Sequence, residues 1–582
     1  MKKLRLFAPI VSALALVAVV FACSSASDTP AASSKDTSAA TDDVADIAAD
    51  ATAIAQDTSP NSDTEQDSNT AVPDSEAADT AGLPAGVTLL VDATATSDPG
   101  FADLVVGKPG ALTPDIEVVY PPENALAPID FAPITVQWKY AGSADKFIVR
   151  FENAEAEIDI LGDASAWQSG PGYALTVPKS MWQELFLFPD HPKWKLRVLA
   201  ATVSGGQLQG KLLASKPITF NVSTMPAGGA IYYWNTQMMA VRVLEQGQKQ
   251  PVTVPTPGGM CAGCHSVSPD GSTVAVSHMM GAGMASMSMS LVTAKSGKVP
   301  AWLHPKAQQV LAGSFTISAA FSEEHFNDKE RWLVVPTSGS GGFIPGPTKL
   351  MAVDLMGGKA TALVQGGDLG QQAFPSWSKD GSTVVYASSS NVGNGFAATV
   401  ATSLYTVPFN GGQGGKAQAV VGADDPGIFH YYPTFTMDGK YIVYNRADNA
   451  SGTCAAASGG GGPSSSGDGT YDNCHAELWM IAATGGNPIR LDFANESLEP
   501  LTNSWPTLGI VPGQYHWMAF SSRRNYGFLH TGAPPSPQIY IAAIDPLKIA
   551  AGEDPSFAAL WLPGQDMGAG CHIARWSSTP RD

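Results

Sequence analysis

Residues 261–265 read Cys-Ala-Gly-Cys-His, and two kinds of chemistry use that spacing. Two thiols three positions apart can add to the vinyl groups of a haem while the adjoining imidazole reaches the iron, the attachment pattern of haem c. On that reading Cys261 and Cys264 hold the porphyrin covalently and His265 is the proximal ligand. A distal ligand would come from His572 or His430, or from a thioether in the Met-rich run Met279, Met280 and Met284. The alternative chemistry is a disulfide. Cys571 pairing with Cys261 or Cys264 would staple two distant segments together, and because either reading leaves one cysteine over, parity does not choose between them. The plainer roles are hydrogen-bonded histidines and methionines packed in an outer strand.

The pentapeptide opens a hairpin pattern. After it come Ser266 and Val267, a tight turn at Pro269-Asp270-Gly271, and the alternation Thr273, Val274, Ala275, Val276. The pattern recurs as FPSWSKDGSTVVYASS from Phe374 and as YYPTFTMDGKYIVYNR from Tyr431. Aligning the first apolar anchor of each hairpin gives Val267, Phe321, Trp377, Phe435, Leu508 and Trp576, with spacings of 54, 56, 58, 73 and 68 residues. Between hairpins lie second strand pairs joined by Gly-rich turns, such as KLMAVDLMGGKATALV from Lys349. Four strands per repeat make a propeller blade.

The two ends of this region complement one another. Ala230 to Val254 offers outer strands with no inner hairpin before them, and His572 to Ser578 offers an inner strand with no outer pair after it. Joined, they complete one blade and bury both sheet edges. Residues 227–582 are therefore expected to form a six-bladed β-propeller with a shared closing blade. The SPDG and KDG turns make these repeats resemble TolB-type, WD-repeat-like propellers of bacterial envelopes, and the fifth repeat, from Ser504, lacks the turn.

Upstream the chain changes character twice. Residues 113–226 contain short alternating segments, among them ITVQWKYAG, KFIVRFEN and WKLRVLAATV, separated by Pro, Gly, Asn and Asp. With Trp138 among them they suit a β-sandwich, and on pattern they resemble a fibronectin type III or immunoglobulin-like module. Residues 23–112 are expected to be a disordered acidic tether. Residues 24–99 hold thirteen Asp, two Glu and one Lys, so most of the chain's net charge of −19 belongs to this stretch. Residues 1–22 begin with Lys2, Lys3 and Arg5 and continue apolar to Phe21, an export signal. VFAC at Val20–Cys23 resembles a lipobox, which implies a lipidated Cys23, and Ser24 after it resembles the outer-membrane sorting pattern.

The fold class expected is all-β: tether, sandwich, propeller. Export implies an oxidising compartment, where Cys454 and Cys474, bracketing a Gly/Ser-rich insertion, are expected to pair. No basic stripe invites nucleic acid. No GxSxG elbow, HExxH or phosphate-cradling loop is present, which argues against an enzyme. Arg523 and Arg524 are candidates for contacts to an anionic ligand at the rim, or else belong to an ion-paired turn. The function expected is a monomeric, membrane-anchored outer-membrane lipoprotein, periplasmic or cell-surface exposed, whose propeller binds a protein, peptide or ligand. The rivals are a c-type cytochrome and a propeller hydrolase or lactonase.

Overall fold

The computed structural model describes residues 87–98, 100–256, 262–280, 286–312, 319–337, 348–393, 397–398, 400–448, 469–471, 473–496, 501–531 and 536–578, with the backbone alone at 262–264, 278–280, 286–288, 393 and 397. The export signal, Cys23, Cys261, Cys454 and most of the acidic stretch lie outside these residues.

Among the described residues, six antiparallel sheets of three or four strands follow one another along residues 230–577. Five of them start with an inner strand: Ala262–Val267, Ala320–Phe326, Gln371–Trp377, Ile428–Phe435 and Ser504–Leu508. The sixth inner strand, Cys571–Ser577, pairs instead with Ala230–Asn235, and Ala240–Glu245 and Val252–Thr253 follow outward. Neighbouring inner strands touch in order, and the sixth touches the first, so the sheets close a ring. The architecture is a β-propeller. The closure is tied down by hydrogen bonds: Ser578 N–H and Oγ donate to Pro269 O at 2.8 and 2.9 Å, and Tyr232 Oη donates to Gly271 O at 2.9 Å.

The turn chemistry is local and repeated. At Asp270 and at Asp380 the carboxylate accepts from a hydroxyl two residues back, Ser268 or Ser378, at 2.6 Å and from the backbone and hydroxyl two residues on; Asp438 does the same with Thr436 and Lys440 N. Glycine follows each Asp at φ +67 or +68°, the left-handed position that completes the turn.

Ahead of the ring, two sheets pack their inner faces together. Trp138, wholly buried on the four-stranded sheet, meets Phe147 of the eight-stranded sheet edge to face at 5.3 Å. The disorder expected over 23–112 is corrected for its last part. Thr88–Ala95 is an edge strand paired parallel with Ala156–Gly162, and Phe101 and Val105 are fully buried beneath the same sheet. The reason lies in TLLVDATA, whose alternation supplies a strand that the surrounding acidic composition obscures.

This module is fixed to the fifth sheet of the ring. Tyr120 Oη accepts from Trp561 N–H at 2.9 Å, the Tyr120 ring meets Tyr526 edge to face at 4.8 Å, and Gln137 Oε1 accepts from Phe528 and Leu529 N–H at 3.0 and 3.3 Å. Asp130 accepts from Ala227 and Gly228 N–H at 2.9 and 2.7 Å. One apolar core runs through both parts, so the module is packed against the propeller instead of being strung beside it.

Candidate functional site: the propeller axis

Five of the six inner strands, all but Ala320–Phe326, share an irregularity that shapes the axis. Their pairing shifts by one residue near the middle, and at that bulge Phe374, Tyr432, Trp505 and Ile573 take φ of +55, +48, +60 and +57°. Each such residue costs on the order of 1–3 kcal/mol and persists only where the surroundings impose it. Pro375, Pro433 and Pro506 follow three of them, a residue type that needs no ladder donor. The consequence is that large side chains converge on the axis. Tyr432 stacks on Trp505 at 3.6 Å, Phe374 meets Tyr432 at 4.6 Å, and Phe374 meets Trp505, two sheets away, at 6.4 Å. With Ile573 they form one buried cluster that plugs the ring.

On the turn side of the plug lies a cavity of about 160 Å³. Phe374, Tyr432 and Trp505 floor it, and Pro269, Lys379 and Met437 stand at the turns around its mouth. Lys379 is neutralised by a contact with Glu323, and burial holds its ammonium below the usual lysine range. Arg575 also lines the space, its guanidinium 5.6 Å from the Trp505 ring. Burial lowers its pKa to about 10.

No family model and no curated protein matches the sequence. Among solved structures, a protein assigned as TolB from Agrobacterium tumefaciens aligns over 57% of this chain and 90% of its own, at 12% identity and TM-score 0.31. The dihydro-heme d1 dehydrogenase NirN aligns over 62% of this chain and 65% of its own, at 12% identity and TM-score 0.26. A prolyl endopeptidase aligns over 64% and 40%, at 13% identity and TM-score 0.30. The ring itself rests on the strand pairing given above.

Of the residues singled out by sequence, His265 lies on the first inner strand opposite Val276 and is 1% exposed. Cys264 stands in the shifted step between Ala262 and His265, the register place that Phe374, Tyr432, Trp505 and Ile573 hold elsewhere. Its side chain and that of Met279 are not described, and Cys261 lies outside the described residues. A haem on this motif would be held by Cys261 and Cys264 with His265 as axial ligand, and the His265 imidazole lies 1% exposed inside a paired strand. Among the described residues no group of three His, Cys, Asp or Glu could hold a metal ion.

His430 and His572, expected from sequence as distal ligands, do not stand level with His265. His430 pairs with Arg446, His572 with Trp234 and His265 with Val276, three different levels, because the three lie at different distances along the strand from the anchors Phe435, Trp576 and Val267. His430 is fully buried, its Nε2 3.8 Å from Asp425, and burial lowers its pKa to about 4. His572 packs 5.9 Å from the Trp234 ring.

The staple between Cys571 and Cys261 or Cys264 is likewise corrected. Cys571 is a buried free thiol facing Asp566 O and Ala569 O at 3.7 and 3.9 Å, and burial pushes its pKa up to about 12. Such a thiol is inert. Cys474 is disulfide-bonded; Cys454 lies outside the described residues.

Arg524 is not a rim ligand contact. It is 2% exposed and donates to Ser522 Oγ, Ala494 O and Asn503 Oδ1 at 3.0, 2.7 and 2.8 Å, pairs with Glu496 at 3.0 Å, and lies over Phe520 and Tyr540. Arg523 is half-buried, and its N–H donates to Leu501 O at 2.7 Å. Sequence reasoning passed over Arg575 and the axial aromatics. Their signals were the recurrent FPSW, YPTF and WPTL, and an arginine where the aligned repeats carry a hydroxyl.

Proposed function

We propose that this chain is a cell-envelope lipoprotein with a six-bladed propeller and a fibronectin-like β-sandwich, acting as a ligand-binding platform through its axial cavity. The cavity carries the reading. It is concave, floored by aromatics and rimmed by hydroxyls, and it lies on the turn face where the hairpins converge. Binding is favoured over catalysis because the lining brings together no nucleophile and base in hydrogen-bonding reach.

Cys23, lipidated, would hold the protein at the outer membrane, and the acidic stretch after it would extend by self-repulsion. The sandwich, packed on the fifth sheet, would fix the platform's orientation. Nucleic acid is not a partner on this account, and no haem step enters it, because His265 is buried.

The test is a thermal-shift screen of a small-molecule and peptide library against wild type and Ser376→Phe, which fills the cavity. Hits that vanish in the variant support the platform. A screen whose every hit persists in Ser376→Phe overturns it. Loss of fatty-acid labelling in Cys23→Ala checks the anchor separately.

A further inference from the structure

The level of the ring just past the plug is uneven in a way that points to a ligand. Two residues beyond the bulge, the inner strands carry Ser266, Ser376, Thr434 and Thr507, with Ala320 at the matching place in the second sheet and Arg575 in the sixth. All six line the cavity. Five small side chains leave the space open, and one long cation reaches into it.

That cation is not satisfied by the protein. Arg575 Nε is buried without a hydrogen-bond partner, and among the described residues no carboxylate pairs with the guanidinium. Its neighbour is the face of Trp505 at 5.6 Å, a contact worth far less than the desolvation it accompanies. The other cation of the lining, Lys379, already has Glu323. Arg575 as a whole is half-buried, and Arg150 and Arg524, which are buried, each have carboxylates at 2.7 to 3.0 Å. An uncompensated guanidinium in an aromatic-floored cavity is therefore specific to the axis.

We propose that the axial cavity binds a small organic monocarboxylate, whose carboxylate pairs with Arg575 while its apolar body rests on Phe374, Tyr432 and Trp505. A single positive charge matches a single negative one, and the planar guanidinium takes a carboxylate with two parallel N–H donors. The hydroxyls of Ser376, Thr434 and Thr507 surround the remaining lone pairs. The void of about 160 Å³ admits a ligand of roughly benzoate size and excludes a folded domain. This rests on the platform reading and names its ligand class.

The probe is benzoate, with benzamide as the uncharged isostere and inorganic phosphate as a multivalent anion, each titrated calorimetrically into the full chain. Benzoate should bind wild type, at least tenfold more weakly to Arg575→Gln, and at least tenfold more weakly to Ser376→Phe. Benzamide and phosphate should bind at least tenfold more weakly than benzoate. Without ligand, Arg575→Gln should melt no lower than wild type, since it removes an unpaired charge. Benzoate binding equally to wild type and Arg575→Gln overturns the proposal, as does preference for phosphate or a lower melting temperature for Arg575→Gln. If benzoate fails while neutral ligands still bind in a Ser376→Phe-sensitive manner, the carboxylate assignment falls and the platform stands.

Discussion

His430 makes the protein sensitive to acid in a way that can be calculated. Its imidazole is fully buried, and its pKa falls from 6.5 to about 4, chiefly from burial, with Arg446 adding and Asp424 and Asp425 opposing. A depressed pKa means that the fold favours the neutral ring. The associated stability is complete above pH 6.5 and is lost as pH falls through 4. At about 1.4 kcal/mol per unit the whole effect is about 3 kcal/mol, of which about 2 kcal/mol is gone by pH 5. Gln372 holds the equivalent place in the third sheet, pairing with Ser388 as His430 pairs with Arg446, so glutamine is the natural replacement. Urea unfolding of wild type and His430→Gln at pH 7.5 and pH 5 isolates the residue, because His516 and the other titrating groups are common to both. His430→Gln should retain about 2 kcal/mol more of its stability on acidification. Identical pH dependence in the two proteins would refute the burial argument.

Three further outcomes follow. Gly229 sits at φ +73° with space for a Cβ only 2.2 Å from Ser577 O, so Gly229→Ala should cost at least about 2 kcal/mol in denaturant unfolding, whereas Gly552→Ala, at φ +75° in open space, should cost about 1 kcal/mol. A non-reducing digest should link Cys474 to Cys454, and reduction should destabilise the protein by on the order of 3 kcal/mol; Cys474 linked to another cysteine would contradict the pairing. Protein co-expressed with haem-attachment machinery should show no Soret band after acid-acetone extraction, because His265 is enclosed; a band that survives would reopen the haem reading.

Much of the ring was legible because turn and alternation are local properties. Val267, Trp377, Phe435 and Leu508, chosen as anchors from sequence, pair with Val274, Val384, Ile442 and Met518, each an apolar residue of the next strand. Trp576 pairs with Ile231, hundreds of residues away, yet the unpaired strands at the two ends already implied it. The candidate site was less legible. A bulge inserts one residue and turns every later side chain to the other face, so which inner-strand side chains reach the axis does not follow from alternation alone. Arg524 read as a surface cation because its partners lie far up the chain, Ala494 and Glu496 in and just after the short helix Asp492–Asn495 and Asn503 just before the strand Ser504–Leu508, contacts that no local pattern reveals. Cys571 read as a staple for the same reason: proximity of strands was correct, but its thiol faces Asp566 O.

The plug, the cavity and Arg575 all depend on the last strand lying beside residues 230–235, and one cross-link tests that placement. Asn235 pairs with Cys571, and its Nδ2 and the Cys571 Sγ both contact Asp566, so the two side chains share a face at a separation suited to a disulfide. Asn235→Cys should form a bond to Cys571 when the reduced, unfolded chain is refolded under oxidising conditions, which exposes the thiol that is inert in the native fold, and the bond is seen as a linked peptide in a non-reducing digest. Two thiols that stay reduced, or that cross-link elsewhere, would contradict the closed ring.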